Sequence, residues 1–144
     1  MTFAIYEVAV GAGRLALSPI PREVADVDAI RVWGPALVVS LTGEDEGEIP
    51  ERTGLTWLRV PVADFGVPND GALDHVVARA VIDVREGRRV LFHCKGGCGR
   101  SGMAVLRVMH LMGVPDALSV LRHVRPCAVE TEAQLDWALR PFAP

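Results

Sequence analysis

Val90-Leu91-Phe92-His93-Cys94-Lys95-Gly96-Gly97-Cys98-Gly99-Arg100-Ser101-Gly102 joins an apolar run to a glycine-rich turn, then to an arginine and a serine that open a helix. The run has no polar alternation, which predicts a strand buried on both faces. A turn that delivers backbone N–H groups to a helix N-terminus is an anion cradle. Those donors lack intrahelical partners and stand at the positive end of the helix dipole. Phosphate is the anion that suits it. The same field stabilises a thiolate, so Cys94 at the head of the turn is expected to be ionised near neutral pH and to face a phosphorus atom. A buried structural cysteine in an ordinary strand-to-helix turn would account for Cys94, though not for Gly96, Gly97, Gly99, Arg100 and Ser101 together.

Outward from this stretch, Ala36 to Leu41 is a second continuous apolar run, bounded by Gly34-Pro35 and Thr42-Gly43, and Thr56 to Val62 is a third. Phe3 to Val10 and Leu15 to Leu17 predict an edge hairpin around Gly11-Ala12-Gly13. Helical spacing covers Val24 to Trp33, and also Gly71 to Glu86 with Asn69 or Asp70 as cap and Gly87 as stop. Further helices are predicted over Ser101 to Met112, from Pro115-Asp116 through His123, and over Glu130 to Leu139, before a tail with Pro141 and Pro144. Glu44-Asp45-Glu46-Gly47-Glu48 reads as a solvated helical turn. Strands alternating with helices predict an α/β fold: a central, mostly parallel sheet of about four to five strands flanked by helices, with its ligand site at the strands' carboxyl ends.

The 144 residues suit a single domain over 1–144. A net charge of -3 lacks the basic excess of a nucleic-acid binder. No apolar run approaches the ~20 residues of a membrane span, and Met1 to Glu7 lacks the features of a secretory signal, so a cytoplasmic protein is expected. Three cysteines make no disulfide framework and Cys94-x3-Cys98 has no companion pair at zinc spacing, so reduced thiols and no metal are expected. Gly11-Ala12-Gly13 lacks the third glycine of a nucleotide fingerprint, so no cofactor is expected.

The spacing Cys94-x5-Arg100-Ser101, with strand before and helix after, resembles the cysteine-dependent protein tyrosine and dual-specificity phosphatases, especially the small cyclin-dependent-kinase-associated type. The resemblance runs from Val38-Val39-Ser40-Leu41 to Gln134 and implies a phosphatase-type sandwich acting on phosphorylated protein through a phosphocysteine on Cys94. Rhodanese loops are one residue shorter, and low-molecular-weight arsenate reductases carry their loop at the chain start.

The chemistry needs a proton donor for the leaving oxygen. Asp64, after the third apolar run in Pro61-Val62-Ala63-Asp64-Phe65-Gly66-Val67-Pro68, resembles the family's general acid; it also reads as a turn aspartate bonding its own backbone. Ala63 departs from the Trp-Pro-Asp of the larger enzymes. Arg100 offers a planar fork for two phosphate oxygens, beside the loop residues Lys95, Gly96, Gly97, Cys98 and Gly99. Ser101 suits a helix N-cap, and the resemblance gives its hydroxyl to the cysteine sulfur. His93 is expected to bond loop backbone and orient it.

Arg125-Pro126-Cys127-Ala128-Val129-Glu130-Thr131-Glu132-Ala133-Gln134 resembles the family segment whose glutamine places the hydrolytic water, with Cys127 in place of a glycine. Thr131-x-x-Gln134 equally reads as a capping box. Cys98 lines the loop as a small apolar residue, or traps an oxidised Cys94 as a disulfide; Cys127 is a further candidate for such a bond. Oligomeric state is not readable.

Overall fold

The computed structural model describes residues 2–141. Met1 and the predicted tail residue Pro144 lie outside the described residues. The chain runs β1 (Tyr6–Val10), β2 (Gly13–Ser18), α1 (Val24–Trp33), β3 (Leu37–Ser40), α2 (Ile49–Thr53), β4 (Trp57–Arg59), α3 (Ala72–Arg85), β5 (Arg89–His93), α4 (Gly99–Leu111), α5 (Ala117–Val124) and α6 (Glu132–Ala138).

The five strands form one sheet in the order β1-β2-β5-β3-β4. Only the β1–β2 hairpin is antiparallel; β2–β5, β5–β3 and β3–β4 are parallel. The pleat explains why the central strands carry no polar alternation. Leu15, Leu17, Leu37, Val39, Val90 and Phe92 pack into one core with α3 and α4, while Ala16, Val38 and Leu91 face Ile30 of α1 in a second. Both faces are covered, so both phases of each strand are apolar. In register, Ser18 and Ser40 flank His93, so three parallel strands end together beneath the loop that starts at Cys94.

Several boundaries differ from the sequence reading for local reasons. The third apolar run is not buried on both faces: β4 is an edge strand with Arg59 exposed, because among the described residues no strand pairs with its outer side. The helix after the loop starts at Gly99, with Cys98 as its cap, so Ser101 lies inside the first turn and is not an N-cap. At α3 the cap is Gly71, with the Asp70 carboxylate accepting the Ala72 N–H at 3.0 Å from just outside. Helix α6 starts after Thr131, where the predicted capping box forms. The acidic stretch 44–48 is not a solvated helical turn. The helix begins at Ile49, and Glu46 is only 5% exposed.

Candidate active site

Strand β5 delivers His93 and Cys94 to the carboxyl edge of the sheet, and α4 receives the chain six residues after Cys94's strand ends. Between them the loop is seated on backbone. Ile20 N–H donates to Lys95 O at 3.1 Å and Leu41 N–H to His93 O at 2.8 Å. Gly97 adopts φ +71°, and a Cβ there would lie 2.5 Å from the Ser18 carbonyl carbon, so the loop rests directly on the end of β2.

Cys94 is buried, with its Sγ 3.2 Å from the Ser101 Oγ. The first turn of α4 thereby aims both its N-terminal dipole and a hydroxyl at the sulfur. Arg100, in the same turn, donates through Nη1 to Val62 O at 3.0 Å, and its Nη2 stands 3.5 Å from Asp64 Oδ1. The guanidinium is 6% exposed on its side chain while Asp64 is 55% exposed, so the arginine forms the wall and the carboxylate the rim. Asp64 Oδ1 also accepts the Phe65 N–H at 3.0 Å, so the turn-bonding reading of this residue holds beside its proximity to Arg100. Asp64, Cys94, Lys95, Arg100, Arg125 and Glu130 line one cavity of about 380 Å³. Lys95 is held 3.5 Å from Glu44, which also pairs with Arg22 at 3.1 Å.

Gln134 is fully buried, and both its amide oxygen and its amide nitrogen are hydrogen-bonded. Oε1 accepts from the Glu130 and Thr131 N–H groups at 2.9 and 3.2 Å, and Nε2 donates to Gly66 O at 3.2 Å. The capping-box geometry is therefore present, and the same side chain reaches the loop of Asp64.

The expectation of three reduced thiols is corrected: Cys98 and Cys127 form a disulfide, with Cα atoms 5.2 Å apart, and Cys94 is the free cysteine. Cys98 is thus committed away from Cys94. Its partner turn clamps the loop a second way, since Arg125 donates through Nε to Gly97 O at 3.2 Å and through Nη2 to Gly96 O at 3.0 Å. The Val129 N–H adds a bond to Cys98 O at 3.2 Å. The sequence reading had Arg125 as the start of the segment that resembles the family's Arg-Pro stretch and gave its side chain no role. An arginine before a proline, two helices beyond a glycine-rich loop, is a weak signal that could have marked it. Glu46 was missed altogether, because a run of four acids within five residues looks like solvated surface.

A family model described as "Polymorphic toxin system, DSP-PTPase phosphatase" matches residues 25–112, more than half of the chain and all of the 94–101 loop. The chain belongs to this phosphatase family. Among solved structures, the active form of Tk-PTP is 30% identical, with TM-score 0.72 over 87% of this chain and 88% of that one. Kinase associated phosphatase superposes with TM-score 0.82 over 99% of both chains at 16% identity, a likeness of fold. Protein MJECL20 of Methanocaldococcus jannaschii is 35% identical over 57% of this chain and 56% of its own length. Cyclin-dependent kinase inhibitor 3 of Mus musculus is 27% identical over 62% and 44%. The chain thus spans about half the length of the curated relatives it matches. Cys127 and Gln134 fall beyond the matched segment of the family model. Among the described residues no helix is long and apolar enough to cross a membrane.

Proposed function

We propose that this phosphatase hydrolyses phosphate monoesters on protein tyrosine, and on serine or threonine, through a phosphocysteine on Cys94. The observation that carries the proposal is the meeting, in one cavity, of a buried free thiol 3.2 Å from a serine hydroxyl with the Arg100–Asp64 pair. A phosphate dianion seated on the loop N–H groups of Lys95, Gly96, Gly97, Cys98 and Gly99 takes the guanidinium fork that Val62 O and Asp64 share in its absence. Cys94 attacks phosphorus, and Asp64 protonates the departing oxygen. In the second step Asp64 takes a proton from water, and the Ser101 hydroxyl bonds the sulfur as it leaves.

Gln134 is the candidate for placing that water, on the ground that its Nε2 already reaches the acid loop at Gly66. His93 orients the loop through Nδ1, 3.4 Å from Cys94 O. No step is assigned to a metal or cofactor. The single-domain reading over 1–144, a phosphorylated protein or peptide as partner, and a cytoplasmic setting belong to the same proposal; nucleic acid and membrane are not among its partners.

Turnover in EDTA by wild type, Cys94→Ser and Asp64→Ala tests it. The serine variant should be inert. The alanine variant should lose about 10²–10⁴ in kcat on a phosphotyrosine peptide while still binding vanadate. It should lose less on p-nitrophenyl phosphate, whose phenolate leaves without a proton. Turnover retained by Cys94→Ser, or thiosulfate consumption by wild type, would overturn the reading.

A further inference from the structure

Helix α3 carries Asp74, Val77, Val81, Ile82 and Arg85 on one stripe of helical spacing. Together with Arg107 and Leu111 of α4 they wall a cavity of about 650 Å³, larger than the one at Cys94, and Arg140 beyond α6 completes its charged lining. The two cavities share no lining residue. From Asp74 to Arg85 the helix rises about 16 Å, so the cavity is a trough. Val77 and Val81 are buried beneath it, while Ile82 is 56% exposed.

Arg107 is the buried charge in this wall. It is 5% exposed, and its hydrogen bonds run from Nη1 alone, to Ala138 O at 3.4 Å and Arg140 O at 2.6 Å. Those carbonyls close α6, so the arginine ties α4 to the last helix. One N–H group suffices for that, and a carbonyl brings no counter-charge. Nε is buried with no partner, and among the described residues no carboxylate makes an ion pair with this guanidinium. Burial pushes its pKa below the usual arginine value and Arg140 adds to the effect, with Asp74 acting the other way. The group still stays charged at neutral pH, and a buried cation is costly without opposite charge.

The carboxylates nearby are committed to other partners. Asp74 pairs with Arg140 at 2.8 Å, and Asp83 and Glu86 both pair with Arg88. Arg85 is exposed and makes no ion pair among the described residues. The lining therefore sets three guanidiniums against one carboxylate, beside an apolar floor.

We propose that the α3–α4 trough binds a small amphipathic anion, a carboxylate or phosphate head on an unbranched aliphatic chain, with the head at Arg107 and Arg140 and the chain along Val77, Val81, Ile82 and Leu111. The surplus positive charge selects the head, and guanidiniums suit carboxylate and phosphate alike. The apolar floor selects the chain. Ligand sites of this volume are mostly apolar with a few converging polar groups, as here. The proposal is independent of the chemistry assigned to Cys94.

Calorimetric titration of the protein with decanoate and with decyl phosphate tests it. Wild type should bind at least one of them saturably, and the tighter names the head. Decanol, which lacks the charge, should bind about ten- to a hundredfold more weakly. Octanoate, shorter by two methylenes, should bind roughly tenfold more weakly than decanoate. Arg107→Gln should weaken binding about tenfold or more. Ala78→Trp, at an exposed position of α3 that lines the trough, should block the chain and abolish binding. Should Arg107→Gln not fold, Ala78→Trp decides alone. Bound decanoate should leave the rate of Cys94 carboxymethylation unchanged; protection would place the anion on the 94–101 loop and overturn the proposal. It is overturned equally by wild type that binds neither anion, by decanol bound as tightly as decanoate, or by undiminished binding in Ala78→Trp.

Discussion

Removing the Cys98–Cys127 bond, by the double substitution Cys98→Ala and Cys127→Ala, should lower stability by an amount the chain itself sets. The cysteines are 29 residues apart in sequence. Closing a loop of that size in the unfolded chain costs about 3.5 kcal/mol of entropy, which the bond has already taken from the unfolded state. The side chains add little, since Cys127 is exposed and Cys98 half-buried. Against a total of about 5–15 kcal/mol, the loss is a large fraction. At about 3–4 °C per kcal/mol for a chain this size, melting should fall by roughly 10 °C. Thermal and urea unfolding of wild type and the double variant without reductant measure it, and wild type in reductant should reproduce the variant. The Arg125 bonds to Gly96 and Gly97 and the Val129 bond to Cys98 survive the substitution, so vanadate affinity should fall less than stability. A melting point lowered by less than about 2 °C would refute the entropic reasoning.

Gly97→Ala should cost roughly 2–4 kcal/mol, combining a left-handed backbone with a methyl group 2.5 Å from the Ser18 carbonyl carbon, and should abolish vanadate binding; a variant that binds vanadate as wild type does would show that the loop is not seated on β2 as described. Burial pushes the Glu46 carboxyl up, and the interactions with His93, Ser40 and Trp57 outweigh it, so the folded group lies below its ordinary value of 4.5; its contribution is fully present above that pH and is lost as pH falls through the folded value. Urea unfolding from pH 7 downward should therefore show the stability gap between wild type and Glu46→Gln narrowing below about pH 4.5, and a gap constant with pH would contradict the assignment.

The loop from Cys94 to Ser101 was legible in the sequence because its residues meet within one turn, so spacing alone nearly fixes their geometry. The central strands were legible for a related reason: an apolar run without alternation has few places to go except between two layers. Asp64 could be proposed because it follows a strand that ends at the same sheet edge, although its contact with Arg100 crosses 36 positions of chain. What could not be read depends on approaches between segments far apart. The pairing of Cys98 with Cys127 needs the α5–α6 turn to fold back over the loop, and no local pattern reports that. Glu46 was hidden by its neighbours: Asp45 and Glu48 are solvated, and only the packing of Trp57 and His93 separates it from them.

Gln134 braces the loop of Asp64, the proposed proton donor, from a helix 68 positions further along the chain. The Asp64 loop is consequently held in part by the C-terminal part of the fold, while the 94–101 loop is seated on the sheet. Damage to α6 should then spare ground-state affinity and surface as a slowed chemical step, so a truncated or frayed C-terminus would imitate a lesion at residue 64.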